Sequence, residues 1–273
     1  MAVRRRLDAE LVHRKIARSR EQAVELIKNR QVSVQGIVAE KPATQVTSDV
    51  SIKVEGSEAV EWASRGAYKL LGALAAFGPL GLDFTDKKVL DAGASTGGFT
   101  DVALRNGAKE VVAVDVGYGQ LLWRLHNHPQ VRVVDRTNIR YLTVEHCGGQ
   151  CDLMVGDLSF ISLKLVLPAI IACMRPGAEL VPMVKPQFEV GKERLGHGGV
   201  VRSSMLRAEA TTAVAMFAQS LGLSLKGVVA SPLPGPSGNV EYFLWLVNDN
   251  NASALIQDDV TALVTAAVLE GPQ

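Results

Sequence analysis

Charged residues stand at four places where apolar neighbours make a charge unexpected. Lys69 lies within an otherwise apolar helical stretch, and Glu241 opens an apolar run. Asp157 and Lys185 each follow one. Burial and a second nearby cation lower the pKa of a lysine, which suits it to act as a general base. The alternative is that each lysine only extends its charged end from an element into solvent.

A glycine-rich turn offers a place for a small molecule. Residues 91–100, DAGASTGGFT, follow a short apolar strand and lead into a helix. Glycines there let the backbone approach a ligand and direct helix N–H groups towards it. The spacing is neither the G-x-G-x-x-G of dinucleotide sites nor a phosphate loop ending in G-K-[ST]. Asp115 ends the next strand, where a carboxylate can bind ribose hydroxyls. A tight structural turn is the other interpretation.

Alternating strands and helices position these residues. A helix from Ser64 towards Gly78 comes first. The predicted order is then strand 88–91, helix 98–106, strand 110–115, helix 120–126, strand 131–134, strand 152–157, helix 162–174, strand 179–185, helix 203–221, strands 224–230 and 240–247, and a helix near 252–269. Such apolar strands predict an α/β fold, a parallel sheet with helices on both faces. Ligands bind at the carboxyl ends of its strands.

Composition excludes several classes of protein. The chain has 273 residues, 47% of them hydrophobic and 21% charged, with a formal net charge of +1, which excludes a disordered chain. Three cysteines do not make a disulfide framework, and their spacing predicts no zinc site. The apolar run 165–174 is shorter than a membrane span and contains Pro168. No signal peptide is visible, so we expect a cytoplasmic globular protein.

The near-neutral total conceals an uneven distribution of charge. Residues 1–30 carry nine basic and four acidic side chains, whereas the chain after residue 60 is slightly acidic. Such asymmetry suggests a segment that binds a polyanion, with a solvated helix surface as the alternative. Asp8 is expected to begin a helix through about Ala17, and a capping box at Ser19 begins a second. We therefore predict a small α+β domain over 1–59, a linker over 60–64 and a larger domain over 65–273.

The N-terminal pattern resembles a known RNA-binding module. The matching residues are Arg6-Leu7-Asp8, Ser19-Arg20, Ala23, Leu26-Ile27, Val32, Val34 and Gly36. They are similar to the S-four-like module named after a ribosomal protein, in which two helices present basic residues to folded RNA. The resemblance implies RNA contacts by Arg4, Arg6, Arg18, Arg20 and Lys41. Such phosphate contacts position RNA without reading its sequence.

The turn and the acidic strand ends resemble the S-adenosylmethionine site of class I, Rossmann-like methyltransferases. The resemblance implies that Asp115 binds the ribose, that residues 135–136 flank the adenine, and that the loop from Asp157 closes over the methyl donor. The implied cofactor-binding residues are Asp91, Gly93, Ala94, Ser95, Thr96, Gly97, Gly98, Phe99, Asp115, Asp135, Arg136, Asp157 and Leu158. No metal is implied.

The four charged residues resemble, in order, the Lys-Asp-Lys-Glu set of the FtsJ-class ribose 2′-O-methyltransferases. The resemblance implies that Lys185 takes the proton of the 2′-hydroxyl, that Asp157 orients Lys185, and that Lys69 and Glu241 place the hydroxyl. Methylation of a base is disfavoured. No cysteine lies in a Pro-Cys motif, and residues 157–160, DLSF, are not the Asn-Pro-Pro-Tyr loop that grips an amino group.

Motifs from both parts together resemble one family, the TlyA-type proteins. They are residues 1–59 as a basic module, 64–70 (SRGAYKL), 91–100, 185–189 (KPQFE) and 231–241. The resemblance implies 2′-O-methylation of cytidine in 16S and often also 23S ribosomal RNA, within 30S and 50S subunits. It also implies an effect on susceptibility to capreomycin and viomycin, and we expect a monomer.

Further RNA contacts are expected at the ligand edge of the sheet. Arg136 and Arg140 follow the third strand, Phe160 could stack a flipped base, and Ser237 could hold the target nucleotide. Packing of Phe160 in the core is the alternative. Three other functions remain as rivals to methylation. They are a membrane-active haemolysin, a name that this family also carries, an inactive factor for ribosomal RNA binding or assembly, and an S-four-like module attached to another RNA chemistry.

Overall fold

The computed structural model describes residues 4–14, 16–17, 19–47, 50, 52–54, 62–235 and 237–272, without the side chains of Arg4, Lys53, Lys192 and His197. The chain divides into two units, Met1–Glu61 and Trp62–Gln273. The predicted linker 60–64 lies partly outside the described residues. Within the second unit Ala63 is buried, and its N–H donates to Asp101 Oδ2 at 2.8 Å.

Short elements build the N-terminal unit. Its described elements are β1 (Arg4–Arg6), α1 (Leu7–His13), α2 (Arg20–Lys28), β2 (Val32–Val34), β3 (Ile37–Val38), β4 (Gln45–Thr47) and β5 (Ile52–Val54). β1 pairs with β4, and β2 pairs with β3 and β5, all antiparallel. Ser19 caps α2 by accepting the N–H of Gln22, as predicted. The prediction for α1 is wrong: Asp8 lies inside its first turn, and the helix ends at His13 because the N–H groups of residues 16 and 17 both bond to Leu11 O.

A seven-stranded sheet is the centre of the second unit in residues 62–235 and 237–272. Its strands are β6 (Lys88–Ala92), β7 (Glu110–Val114), β8 (Val131–Val134), β9 (Cys151–Gly156), β10 (Met174–Val184), β11 (Leu223–Ala230) and β12 (Tyr242–Asn248), in the order β11-β12-β10-β9-β6-β7-β8. The predicted parallel arrangement holds for β6 to β10. It is wrong for β12, which is antiparallel to both β10 and β11. The described residues of the connection, 231–235 and 237–241, contain no helix, whereas parallel neighbours need a long crossover that is usually helical.

Helices cover both faces of this sheet. They are α3 (Gly66–Phe77) and α4 (Gly98–Arg105) on one face, α7 (Leu163–Ala172), α8 (Ser204–Ser220) and α9 (Gln257–Glu270) on the other, and the short α5 (Trp123–His126) and α6 (Val144–Cys147). Side chains alternate between the two layers: along β12, Phe243 packs towards α3, and Leu244 packs towards α8. Burial on both sides explains the continuous apolar strands.

Two element boundaries in the second unit differ from the prediction by five residues. α9 begins at Gln257 and not near residue 252, because Ala252 and Ala254 instead donate to carbonyls in tight turns. β10 begins earlier, at Met174. Among the described residues, no helix is long and apolar enough to cross a bilayer. In the same part of the chain, no group of three or more His, Cys, Asp or Glu side chains is arranged to hold a metal ion.

Candidate active site

Three of the four charged candidates lie at one edge and on one face of the sheet. β9 and β10 end just before Asp157 and Lys185, and β12 begins just after Glu241. Because β12 is antiparallel to β10, its start lies at the edge where β9 and β10 end. The side chains two positions away along each strand pack against α3, so alternation places all three charges on the α3 side.

Lys69 brings the fourth charge from α3. Its Nζ donates to Glu241 Oε2 at 2.7 Å and to Asp157 Oδ2 at 3.2 Å. Lys69 and Lys185 are only 5% and 6% exposed, so the interpretation of solvated lysines is wrong. The structure thus brings the four predicted residues together. They are called the four-charge cluster below: Lys69, Asp157, Lys185 and Glu241.

The partners of Lys185 make it the most constrained member of the cluster. Its Nζ lies 2.5 Å from Asp157 Oδ1 and 3.9 Å from Glu241 Oε1. It also donates to Ser159 Oγ at 2.7 Å. Two carboxylates therefore face the amines of two lysines, and removing a single partner would leave a buried charge uncompensated.

Ser159 is a site residue that the sequence analysis did not single out. Its hydroxyl accepts from Lys185, and the residue lines both cavities described next. The available signal was its position two residues after Asp157, since alternate residues of an extended segment point the same way.

Two adjoining cavities open beside the four-charge cluster. The smaller, about 300 Å³, is lined by Lys69, Lys185 and the start of α3, and the larger, about 510 Å³, extends past Asp115. They share walls at Gly93, Ser95, Asp157 and Ser159. Small-molecule sites commonly measure about 300–1,000 Å³. A larger apolar groove of about 690 Å³ between α8 and α9 lacks these charges.

The glycine-rich turn forms the wall between the cavities and the sheet. Gly93 and Gly97 have φ angles of 87° and 98°, which residues with a side chain rarely adopt. A Cβ on Gly93 would lie 3.1 Å from the carbonyl oxygen of Asp157, and one on Gly98 would lie 2.4 Å from Ser64 Oγ. Because α4 begins at Gly98, its free N–H groups lie at this turn.

Two of the predicted cofactor-binding acids hold neighbouring loops. Asp115 lines the larger cavity, and its two carboxylate oxygens accept the N–H groups of Ser95 at 2.8 Å and Gly117 at 2.7 Å. Carboxylate oxygens have further lone pairs, so Asp115 can still accept from a ligand. Asp135 accepts the N–H of Gly119 at 2.9 Å.

Asp91 is different, because it lies beneath the turn and is fully buried. It accepts the hydroxyl of Thr100 at 2.6 Å, and burial raises its pKa to about 7. Among the described residues, the predicted cofactor-binding residues that line the cavities are Gly93, Ala94, Ser95, Thr96, Gly98, Phe99, Asp115, Asp157 and Leu158. Polar residues of the larger cavity that sequence reasoning missed are Gln120, Thr137 and Asn138.

Two of the predicted RNA contacts have exposed side chains, and one of them lies at the mouth of the larger cavity. Phe160 is 91% exposed and lines the larger cavity, so its interpretation as a core residue is wrong. Its ring lies 5.3 Å from that of Phe188. Ser237 is exposed on the connection 231–241.

The two arginines after β8 lie beside aromatic rings. The guanidinium of Arg136 is 4.1 Å from the ring centroid of Tyr118, a cation–π contact, and Arg136 itself has a φ of 54°. Arg140 lies 6.0 Å from the ring of Tyr141. Both tyrosines are mostly exposed, so flat aromatic and basic surfaces occur together here.

In the N-terminal unit, two of the predicted RNA contacts share one buried carboxylate. Asp8 is 2% exposed and accepts from Arg6 Nη2 at 2.9 Å and from Arg20 Nη2 at 3.1 Å. The hydrogen bond from Arg6, assisted by Arg20, lowers the pKa of Asp8 to about 2. The arginine side chains remain 47% and 60% exposed. Lys41 is exposed, while Arg18 and the Arg4 side chain lie outside the described residues.

Comparison with known families agrees with this arrangement. A model described as FtsJ-like methyltransferase matches residues 62–248, which contain the whole four-charge cluster and both cavities. A model described as S4 domain matches residues 5–52.

Similar proteins extend over both units. The chain is 54% identical over 272 residues to the 16S/23S rRNA (cytidine-2′-O)-methyltransferase TlyA of Mycobacterium tuberculosis, with 100% of each chain covered. It is 33% identical to Hemolysin A of Brachyspira hyodysenteriae, covering 87% of this chain and 97% of that one. A solved structure from Streptococcus thermophilus, described as a possible hemolysin, is 36% identical with a TM-score of 0.72 and covers 99% of this chain and 98% of its own. The chain therefore belongs to the FtsJ-like methyltransferase family, among its TlyA-type members with an N-terminal S4 domain.

Proposed function

We propose that the chain transfers a methyl group from S-adenosylmethionine to the 2′-oxygen of a cytidine ribose in ribosomal RNA, in 16S and also in 23S RNA. The observation that carries the proposal is the four-charge cluster, buried beside two adjoining cavities. The name of the relative that is 54% identical over the full length supports the choice of cytidine and of both RNAs.

Lys185 is the general base of the proposed reaction. A neutral amine has two N–H bonds and one lone pair. Ser159 Oγ accepts one N–H at 2.7 Å, and Asp157 Oδ1 lies 2.5 Å from Nζ, which leaves a third direction for the lone pair. A 2′-hydroxyl held there gives its proton to Nζ, and its oxygen becomes the nucleophile.

The other three members of the cluster control the charge that Lys185 then gains. Asp157 lies against the new ammonium group, and Glu241 Oε1 is 3.9 Å from it. Lys69 binds the second oxygen of each carboxylate, at 3.2 and 2.7 Å, and so fixes both orientations. Because these groups are already in place, little reorganisation accompanies the proton transfer.

The residues around the cavities fit S-adenosylmethionine. A Cβ on Gly93 would lie only 3.1 Å from the Asp157 carbonyl oxygen, α4 begins at the turn, and Asp115 retains acceptor capacity towards the larger cavity. In the proposal, the turn 93–99, Asp115 and Leu158 hold the cofactor. When bound, the cofactor supplies a methyl group on a positively charged sulfur. Asp157 lines both cavities, so it faces the cofactor side and the proton acceptor at once.

RNA binding is assigned to the basic residues of the first unit and to the mouth of the larger cavity. Arg6 and Arg20 neutralise phosphates and release counterions. A 2′-hydroxyl within a helix is hard to approach, so the target nucleotide leaves its stack and places its base on Phe160. Arg136, Arg140 and Ser237 contact the flanking backbone. The substrate places the protein in the cytoplasm, acting on 30S and 50S subunits as a monomer.

Methyl transfer to purified subunits tests the proposal. The full chain is incubated with tritiated S-adenosylmethionine and with 30S or 50S subunits from a strain that lacks this modification. We expect label in the RNA, and mass spectrometry of nucleosides should show 2′-O-methylcytidine. Cells whose ribosomes carry this methylation should also be more susceptible to capreomycin than cells that lack it. Label in a base, or no label in either subunit while calorimetry shows cofactor binding, would contradict the proposal. Lysis of erythrocytes by a Lys185→Met variant would instead support the haemolysin function.

A further inference from the structure

Two segments that follow neighbouring strands are tied together at both ends. Residues 157–162 follow β9, and residues 185–189 follow β10. The inner tie is the contact of Lys185 with the first segment, described above. The outer tie is Glu189, which accepts the hydroxyl of Ser162 at 2.6 Å and the N–H of Leu163 at 2.7 Å.

Phe160 lies between these ties in a conformation that needs outside support. Its φ of 63° is a left-handed backbone conformation, which a residue with a side chain adopts only at a cost in free energy. Since the residue is 91% exposed, its own burial does not hold it. Its ring contacts Phe188, which immediately precedes Glu189. The segment that carries Glu189 therefore supports Phe160 from two sides.

The role of Glu189 exceeds that of a helix cap. α7 already has its own cap, Ser162, whose hydroxyl accepts the N–H of Lys164 at 3.2 Å. The Glu189 carboxylate adds a bond from the segment that carries Lys185. Burial raises the pKa of Glu189, while its two hydrogen bonds and the positive charge of Lys164 oppose that rise.

We propose that Glu189 is a positioning residue for methyl transfer. By tying residues 162–163 to the segment that begins with Lys185, it holds Phe160 and Ser159 at a fixed place beside the Lys185 amine. The target nucleotide then finds the Phe160 ring, on which its base stacks, and the Lys185 amine, which accepts its proton, already correctly spaced. The inference rests on the proposed function, because it assigns Glu189 to that reaction.

The test compares Glu189→Ala and Glu189→Gln with a matched control. Glu179 is also partly buried and accepts two hydrogen bonds, from Lys87 Nζ at 2.6 Å and Trp245 Nε1 at 2.9 Å, but it lies in the middle of β10 and lines neither cavity. We expect E189A to lower kcat by about 10- to 100-fold, because a misplacement of about 1 Å in reacting groups can cost about 10²-fold in rate. Cofactor affinity by calorimetry should stay unchanged, and E189Q should retain most of the activity because its amide oxygen still accepts from Leu163.

Two further readouts separate positioning from general support of the fold. Amide exchange over residues 159–163 should speed up in E189A and not in E179A, without RNA present. In a Phe160→Ala background, the Glu189→Ala change should cost much less activity than it does in the wild type. An equal cost in both backgrounds, a parallel loss of cofactor affinity, or unchanged exchange would overturn the inference. If the wild type methylates neither subunit, the proposed function fails, and the exchange experiment still decides whether Glu189 holds the loop.

Discussion

Both units of this chain place cations beside carboxylates, but the cations are exposed in the first unit and buried in the second. In the N-terminal unit, buried Asp8 holds Arg6 and Arg20, whose side chains are 47% and 60% exposed. In the second unit, the four-charge cluster holds its lysines at 5% and 6% exposure. The first arrangement orients charge and leaves it accessible to a partner. The second shields its charges from water and places them beside the smaller cavity.

That difference explains how much each contact should matter. Exposed cations attract a polyanion through salt-dependent terms that many side chains share, so no single arginine dominates. A buried amine has one geometry and one set of partners, so no other side chain can replace it when it is removed. Carboxylates differ in the same way: Asp8 has arginine partners and a lowered pKa, while buried Asp91 has a hydroxyl partner and a raised one.

The largest effect is expected from replacing Lys185 with methionine. Methionine keeps an unbranched chain of similar length but cannot accept a proton, and general base catalysis contributes about 10²- to 10⁴-fold. We expect kcat for methyl transfer to subunits to fall by that factor, while cofactor binding measured by calorimetry persists.

The matched control is Lys87→Met. Lys87 also pairs with a carboxylate, Glu179 at 2.6 Å, outside the residues that line the two cavities. It should retain kcat. Similar losses in both variants would mean that both lysines stabilise the fold through their ion pairs and that the contrast between the units is not one of chemistry.

The second effect concerns Asp91, whose pKa of about 7 lies above the ordinary 3.8. The folded state therefore binds this proton more tightly than the unfolded state. The resulting stabilisation is full below about pH 4 and is lost as pH rises to 7. Between pH 5 and pH 8 the loss is about 2.5 kcal/mol, at 1.36 kcal/mol per pKa unit.

Asp91→Asn should remove most of that pH dependence, because the amide does not ionise. All three tryptophans, Trp62, Trp123 and Trp245, lie in the second unit, so their fluorescence during urea unfolding reports on that unit alone. Parallel stability curves for wild type and variant between pH 5 and pH 8 would show that Asp91 is not the group responsible.

Much of the second unit could be predicted because its strands are buried on both faces. β8 was predicted with the bounds that the structure shows, Val131–Val134. The direction of β12 was not, because an apolar run reads the same in either direction. The relevant signal was the connection 231–241, which is short for the crossover that parallel neighbours need, and its described residues form no helix. That direction also brings Glu241 to the cluster.

The site was predicted unevenly for a similar reason. Charges inside apolar runs are conspicuous, so Lys69 and Lys185 could be found from the sequence. A serine in a loop is ordinary, so its position two residues after Asp157 was a weak signal, and the fold shows that the Ser159 hydroxyl accepts from Lys185. The local sequence around Asp8 suggested only a helix cap. Its partner Arg20 lies on another helix, and the local sequence carries no signal for such tertiary pairing.

The third effect concerns RNA affinity and not the reaction rate. Arg6→Gln combined with Arg20→Gln should weaken binding to subunits and reduce the slope of log K against log salt by about 2, roughly one for each phosphate contact. At saturating RNA, kcat should be unchanged. Arg30→Gln is a suitable control, since Arg30 is also exposed and pairs with exposed Glu40 at 3.1 Å. A fall in kcat with unchanged affinity would contradict the division of roles between the units.

The smallest effect is expected from Asp8→Asn, because exposed arginines can exchange a protein partner for water. The pKa of Asp8, about 2, lies below the ordinary 3.8, so its stabilisation is full above about pH 4 and is lost as pH falls towards 2. This sign is opposite to that of Asp91. Amide exchange of α1 in the full chain should therefore be faster in the variant than in the wild type at pH 7, with a smaller difference at pH 3. A difference independent of pH would mean that Asp8 acts by its shape at the helix start, and the ion pairs would then orient the arginines without stabilising the unit.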